Sequence, residues 1–147
     1  MVNKILRATA EAAPNIALIK YWGKRNEELI LPMAGSLSVT LDEKLKTRTT
    51  VMFSEKFKED EVYLVYGQRL KKLKTAEELE KITPQLNVVK DLAKTNLKAR
   101  VVSVSFVPVA AGLAGSSAGL CATALAATFY LGLKLNKKEL SIIARRG

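Results

Sequence analysis

Polar and apolar positions alternate in short runs over the first two thirds of the chain, then give way to a helical period. Ile5 to Ala13 is moderately apolar and predicts a first or edge strand that stops near Pro14. Asn15 to Ile19 is a second apolar run, and it passes abruptly into the cluster Lys20-Tyr21-Trp22-Gly23-Lys24-Arg25. A strand core ending in Trp22-Gly23 predicts a segment that enters the interior and emerges at a cleft, carrying Lys20 and Lys24. The plainer alternative is a strand whose lysines are only solvated. Asn15, an amide ahead of four apolar residues, suits a turn former or a polar group aimed at a ligand. Glu27 to Pro32 reads as a turn and short link, and Ser36 to Leu41 alternates as a half-buried strand should. Thr47 to Phe53 and Glu61 to Tyr66 predict two strands of one antiparallel hairpin, joined by the charged segment Ser54 to Asp60. Gly67-Gln68 then turns the chain into Arg69-Leu70-Lys71-Lys72-Leu73-Lys74, which reads as a solvated basic face.

From Thr75 the period changes to helical. Thr75-Ala76-Glu77-Glu78 is a capping-box pattern. Leu79, Ile82, Leu86, Val89 and Ala93 share one face. Pro84 interrupts that face, and Thr83-Pro84 suits an N-cap with proline at the first helical position, so the spacing predicts one short helix ending near Ile82 and another from Pro84 to about Lys94. Lys98 to Phe106 alternates strongly enough for a central strand. It feeds into Pro108 to Leu131, PVAAGLAGSSAGLCATALAATFYL, where a glycine-rich loop runs into a small-residue helix expected to be enclosed on most sides. Asn136 to Glu139 opens a last helix with Leu140, Ile143 and Ala144 as its buried stripe. Strands, helices, a strand, a loop and two more helices make an α+β domain.

Composition narrows the chemistry. The 147 residues suit one domain with a real core, and 24 Lys and Arg against 14 Asp and Glu leave a net charge of +10. That surplus favours anionic partners, among them phosphorylated metabolites, nucleotides and nucleic acid. With no histidine, zinc hydrolase chemistry and Ser-His-Asp triads are excluded for this chain standing alone. The single cysteine, Cys121, permits no internal disulfide and fits a reducing, cytoplasmic setting. No apolar run reaches the length of a signal peptide or a membrane span.

The glycine-rich loop is a phosphate cradle in outline. Backbone N–H groups at a helix N-terminus have no internal partner and lie at the positive end of the dipole. Such joints also arise where a helix packs closely on a sheet without a ligand. The loop matches neither the P-loop ending nor a dinucleotide fingerprint.

Two stretches together resemble a known family. Asn15 to Arg25, NIALIKYWGKR, is very similar to the N-terminal signature of the diphosphomevalonate decarboxylases. Pro108 to Gly119 resembles the phosphate loop of the wider superfamily named for galactokinase, homoserine kinase, mevalonate kinase and phosphomevalonate kinase (GHMP). Leu31-Pro32, Ser36 to Leu41 and Ile143 to Gly147 also look like that decarboxylase. The fold implied is the superfamily's N-terminal domain, which is similar to a ribosomal-protein domain and packs a mixed or antiparallel sheet against helices. Residues 1–147 would form that N-terminal ATP-binding domain, with the C-terminal domain absent. The activity implied is the ATP- and Mg²⁺-dependent conversion of mevalonate 5-diphosphate to isopentenyl diphosphate, releasing ADP, phosphate and CO₂, in the mevalonate pathway. In the family, ATP phosphorylates the tertiary 3-hydroxyl and loss of that phosphate drives decarboxylation.

Carried over by position, Asn15, Lys20, Tyr21, Trp22 and Lys24 would bind substrate, with Lys20 and Lys24 in the catalytic cleft. Pro108, Ala111, Gly112, Leu113, Ala114, Gly115, Ser116 and Ser117 would wrap the ATP phosphates, with Ser116 nearest the metal. The resemblance implies no nucleic acid or membrane partner, and a homodimer for the full-length protein. Gly115 stands at the first position of the family's Ser-Ser pair and Ala34-Gly35 replaces an Asn-Ser pair. The catalytic aspartate is expected in the C-terminal half, since Asp42, Asp60 and Asp91 sit in ordinary contexts, so the chain alone is expected to be inactive. The other readings are a phosphomevalonate decarboxylase or mevalonate kinase on the same fold, and a non-catalytic basic module binding nucleic acid.

Overall fold

The computed structural model describes residues 7–20, 22–107 and 115–146. Strands β1 (Ala8–Ala12), β6 (Thr47–Ser54), β7 (Glu61–Tyr66), β8 (Arg69–Leu73) and β9 (Lys98–Ser105) form one mixed sheet in the order β1-β6-β9-β7-β8. Every pairing is antiparallel except β7 with β9. Two short ribbons lie outside the sheet: β2 (Asn15–Ile19) with β5 (Leu37–Thr40), and β3 (Lys24–Asn26) with β4 (Leu31–Pro32). Helices α1 (Ala76–Leu79), α2 (Ile82–Leu92), α3 (Gly115–Tyr130) and α4 (Lys137–Arg145) complete an α+β domain.

The period of two decides which face of the sheet is covered. Val51 and Phe53 of β6, Ala99 and Val101 of β9, Val62 of β7 and Leu73 of β8 are buried, and they meet Leu86 and Val89 of α2, Ala124, Ala126 and Ala127 of α3 and Ile143 of α4. Small side chains on α3 let it lie close over β1 and β6. At its far end Tyr130 donates to the Phe53 carbonyl at 2.9 Å while the two rings sit 5.4 Å apart. The outer face is polar. Thr9 and Thr50 share a hydrogen bond at 2.8 Å, Glu11 accepts from Lys46 and Arg48, and Glu61 accepts from Lys72 and Arg100, whose guanidinium lies 4.3 Å from the Phe57 ring.

Several expectations are met. The capping box at Thr75 and Glu78 forms, and the helix expected from Asn136 forms with a capping box of its own, to Glu139, that sequence analysis did not name. Lys98 to Ser105 is the central strand. The expected hairpin of Thr47–Phe53 with Glu61–Tyr66 does not form: β9 inserts between them, and β7 instead pairs with β8. The basic run expected to be a solvated face is therefore an edge strand. It exposes Arg69, Leu70 and Lys71, a charged edge that discourages further strand addition, and turns Leu73 into the core. Helix α2 begins at Ile82, so Thr83 is not its cap. Proline has no N–H for the carbonyl four residues back and its ring crowds that group, so the break falls at Glu80-Lys81 and Pro84 sits harmlessly in the first turn.

Two burial expectations fail as well. Strand β5 is exposed at all four positions, because its ribbon stands apart from the main sheet. Helix α3 keeps one side open, with Leu125 at 40% and Phe129 at 65% exposure.

Candidate functional site

Strand β9 delivers the chain to the loop and α3 carries it away, so the sheet sets where the loop is anchored. Val107 is buried at the strand's exit, and its backbone N–H is held by the Ser105 hydroxyl at 3.2 Å. A Cβ on Gly115 would lie 3.3 Å from the Val107 Cβ, so the helix start packs against the strand exit with no slack. Pro108, Ala111, Gly112, Leu113 and Ala114 lie outside the described residues, as does Tyr21. Ser116 and Ser117 are exposed in the first turn of α3, and that turn carries no acidic residue. The dipole's positive end and the exposed Ser116 hydroxyl make this turn receptive to an anion.

A row of hydroxyls lies beneath it, which sequence reasoning missed. Thr47, Thr49 and Ser103 are buried, Thr49 and Ser103 share a hydrogen bond at 2.9 Å, and Thr123 donates to the Gly119 carbonyl at 2.8 Å. A Cβ on Gly119 would meet Ser103 and Thr47 at ordinary contact distance, so the row lies directly under that turn of the helix. The signal was available in the sequence: Thr47 and Thr49 occupy the same strand face as Val51 and Phe53, where polar residues are out of place.

The second segment is held differently. Asn15 donates its side-chain N–H to the Thr40 hydroxyl at 3.1 Å across the β2–β5 ribbon, and the Leu41 N–H is received by the Pro14 carbonyl at 2.9 Å. The amide of Asn15 is thus a ribbon clasp. Lys20 is exposed just beyond the ribbon. Trp22 is 87% exposed, and Leu18 and Ile19 are exposed at 68% and 61%, so the predicted entry into the interior does not occur. Gly23 takes a positive φ of 81° and its carbonyl accepts from the Met33 N–H at 3.2 Å, which closes the β3–β4 ribbon. Lys24 opens that ribbon with its ammonium 2.9 Å from Glu27 in the intervening turn.

The described aspartates have structural partners or face solvent. Asp60 accepts from Lys90 at 2.6 Å and from the Ala99 N–H at 2.7 Å, Asp42 accepts from the Lys44 N–H, and Asp91 is exposed on α2. Groups with displaced acidity lie elsewhere. Lys72 and Arg100 pull the Glu61 carboxyl down to about 2, and Lys71 with the Lys74 and Thr75 N–H groups pull Glu78 down to about 2. Among the described residues no group of three or more His, Cys, Asp or Glu could hold a metal ion, and no helix is long and apolar enough to cross a membrane. A magnesium ion carried on nucleotide phosphates would find a hydroxyl ligand at Ser116, one oxygen among phosphate oxygens and waters, which the exposed side chain fits.

Known proteins resemble this chain in sequence and in fold. The family model for the diphosphomevalonate decarboxylase-like N-terminal domain matches residues 12–147. The diphosphomevalonate decarboxylase of Schizosaccharomyces pombe is 41% identical over all of this chain and 39% of its own length. A structure described by the mevalonate diphosphate mediated ATP binding mechanism of the mevalonate diphosphate decarboxylase from Enterococcus faecalis superposes with a TM-score of 0.82. It is 47% identical over 96% of this chain and 42% of that one. A complex of MDDEF with MVAPP, AMPPCP and magnesium superposes equally well, at 0.82 and 47% identity over 96% and 41% of the two chains. The chain spans about two fifths of the length of these relatives.

Proposed function

Because the chain belongs to the diphosphomevalonate decarboxylase-like N-terminal domain family, we propose that residues 1–147 are the ATP-binding N-terminal part of a decarboxylase acting on mevalonate 5-diphosphate. The reaction is the ATP- and Mg²⁺-dependent formation of isopentenyl diphosphate, with ADP, phosphate and CO₂ as the other products. The observation that carries this reading is the start of α3 at Gly115, where the exposed Ser116 and Ser117, in a first turn free of acidic residues at the positive end of the helix, follow the strand exit at Val107. This turn holds the nucleotide phosphates, and bound ATP supplies the phosphoryl group that makes the tertiary oxygen a leaving group. Ser116 would supply a hydroxyl to the magnesium ion.

Lys20 and Lys24 meet the diphosphate of the second substrate. Both substrates are polyanions and negative charge builds on the transferring and departing phosphate, so fixed cations lower the barrier. Lys24 is held by Glu27 in the free chain, and a diphosphate shares or replaces that partner. Asn15 acts through the ribbon, keeping Lys20 in place by its bond to Thr40. The carboxylate that manages the proton of the 3-hydroxyl comes from polypeptide equivalent to the relatives' remaining three fifths, so the chain alone is inactive. Its single cysteine suits a reducing compartment such as the cytoplasm.

Calorimetric titration with Mg-ATP and with mevalonate 5-diphosphate tests the reading. Saturable Mg-ATP binding lost in Ser116→Ala, with diphosphate binding weakened in Lys24→Ala, is the expected result. No binding of either ligand to the folded chain would overturn the assignment of the site to this part of the protein.

A further inference from the structure

A cleft of about 420 Å³ opens on the outer face of the sheet, lined by Lys56, Phe57, Lys58, Glu59, Glu61 and Arg100. Val101 turns into the core, so its neighbour Arg100 projects from the opposite face, away from α3. Along extended chain Arg100 lies about 23 Å from Val107, and the cleft is therefore separate from the candidate phosphate turn. Its side chains are held in place. The Arg100 guanidinium lies 4.3 Å from the Phe57 ring, and its Nε and Nη2 both donate to one Glu61 oxygen at 2.6 Å. Ser54 braces the turn that carries the lysines: its hydroxyl receives the Lys56 N–H at 3.1 Å and its carbonyl the Phe57 N–H at 3.4 Å. Asp60 fixes the other end of that turn to the Ala99 N–H.

The charges in and around the cleft do not cancel. The second oxygen of Glu61 accepts from Lys72 at 2.7 Å and from the Tyr63 hydroxyl at 3.3 Å, so this carboxylate is matched by two cations. Glu59 reaches only the same Lys72, at 3.5 Å. Lys56 and Lys58 are exposed, and among the described residues no carboxylate pairs with either. Because Nε and one N–H of Nη2 face Glu61, the end of the guanidinium, formed by Nη1 and the second N–H of Nη2, remains for another anion. We infer that this cleft is a binding site for the phosphate group of a small molecule, with Arg100 as the oriented donor and Lys56 and Lys58 as flanking charges. A guanidinium already fixed by a ring face and a carboxylate loses little freedom when it meets two further oxygens. A phosphate carries more charge and more acceptor oxygens than a carboxylate, which suits a fork with two ammonium groups beside it.

The test titrates the chain with inorganic diphosphate at about 0.15 M salt and without magnesium, followed by calorimetry and by backbone amide chemical shifts. Saturable binding with shifts at Lys56 to Glu59 and at Arg100 is expected. Lys56→Gln/Lys58→Gln, which alters two exposed side chains, should weaken it at least about tenfold, and so should Arg100→Lys, which keeps the charge and loses the planar fork. If Arg100→Lys fails to fold, the lysine pair decides. Malonate, a dicarboxylate, should bind at least about tenfold more weakly than diphosphate. A titration that does not saturate, shifts confined to the first turn of α3, malonate binding as tight as diphosphate, or an unaffected lysine double variant would each overturn the inference. Glycerol 3-phosphate and inorganic phosphate distinguish the occupants: tighter binding of the first assigns the site to an organic phosphate, and of the second to the free ion. The cleft stands apart from the nucleotide reading. Ser116→Ala should leave its shifts unchanged, and a chain that takes diphosphate here but binds no Mg-ATP would refute that reading alone.

Discussion

The Asp60–Lys90 pair ties the end of α2 to the start of β9, the strand that delivers the candidate phosphate loop. One Asp60 oxygen receives the Lys90 ammonium at 2.6 Å and the other receives the Ala99 N–H at 2.7 Å; the side chains of Lys90 and Asp60 are only 10% and 19% exposed. Asp60→Ala leaves a nearly buried ammonium unpaired, a loss of about 3–5 kcal/mol in comparable sites. It also orphans a backbone N–H on a fully buried residue, which costs about 1–3 kcal/mol. Lys90 can bend toward water once released, so the two losses overlap and we expect about 3–5 kcal/mol in total. Asp60→Asn keeps an acceptor for Ala99 and should cost about 1–2 kcal/mol less than Asp60→Ala. Lys90→Met removes the more deeply buried charge and leaves the more exposed Asp60 on the Ala99 N–H, so it should cost clearly less than Asp60→Ala. Urea unfolding followed by circular dichroism measures all three. At a slope of about 2 kcal/mol/M, Asp60→Ala moves the midpoint down by roughly 1.5–2.5 M. An Asp60→Ala cost below about 1 kcal/mol, or a Lys90→Met cost equal to it, would refute the argument that the buried ammonium dominates.

Four further outcomes are expected. Glu61 and Glu78 are held at about 2 against an ordinary 4.5, so the unfolded chain takes up protons first as pH falls. Their stabilisation is complete above about pH 4.5 and is lost as pH falls toward 2; melting followed against pH should show that decline, shallower in Glu61→Gln, and an unchanged slope would count against the ion-pair cause. Gly115→Ser restores the hydroxyl of the family's Ser-Ser pair and should tighten Mg-ATP binding about two- to tenfold, the worth of one hydrogen bond. Because the new Cβ lies 3.3 Å from Val107, the gain should be larger in the Val107→Ala background, and calorimetry on the pair checks this. Thr75→Ala, which removes one half of a formed capping box, should destabilise the chain by about 1 kcal/mol in urea unfolding. Glu27→Ala removes the carboxylate 2.9 Å from the Lys24 ammonium and should strengthen mevalonate 5-diphosphate binding measured by calorimetry, whereas weaker binding would show that the turn carboxylate orients the lysine productively.

Local chemistry was legible wherever a few neighbouring residues decide the outcome. The capping box at Thr75, the helix start at Asn136, the turn at Gly67-Gln68, the alternation of Lys98 to Phe106 and the small-residue helix after the glycine loop all depend on contacts within a turn or two, so the amino-acid order was enough to place them. The break between α1 and α2 belonged to the same class but fell at Glu80-Lys81, because a proline acts on the carbonyl four residues before it. The absence of histidine and the charge of +10 bounded the chemistry without any structure at all. The likeness of Asn15 to Arg25 to a decarboxylase signature supplied the family.

What required the tertiary structure was everything set by partners distant in the chain. Adjacent strands Thr47–Ser54 and Glu61–Tyr66 looked like a hairpin, yet Lys98–Ser105, more than thirty residues later, separates them, since a parallel β7–β9 pair needs a helical crossover that only α1 and α2 supply. The basic run became a strand because Leu73 could reach the core beside Val62. Asn15 and Lys24 were named as ligand residues, but their partners Thr40 and Glu27 emerged only once the ribbons were paired. The buried row of Thr47, Thr49 and Ser103 exists only because two strands meet under α3. Composition made α3 apolar on every side, and only the fold revealed which side it leaves open: a sequence carries the free energy of burial, whereas the direction of burial is decided by what the rest of the chain puts there.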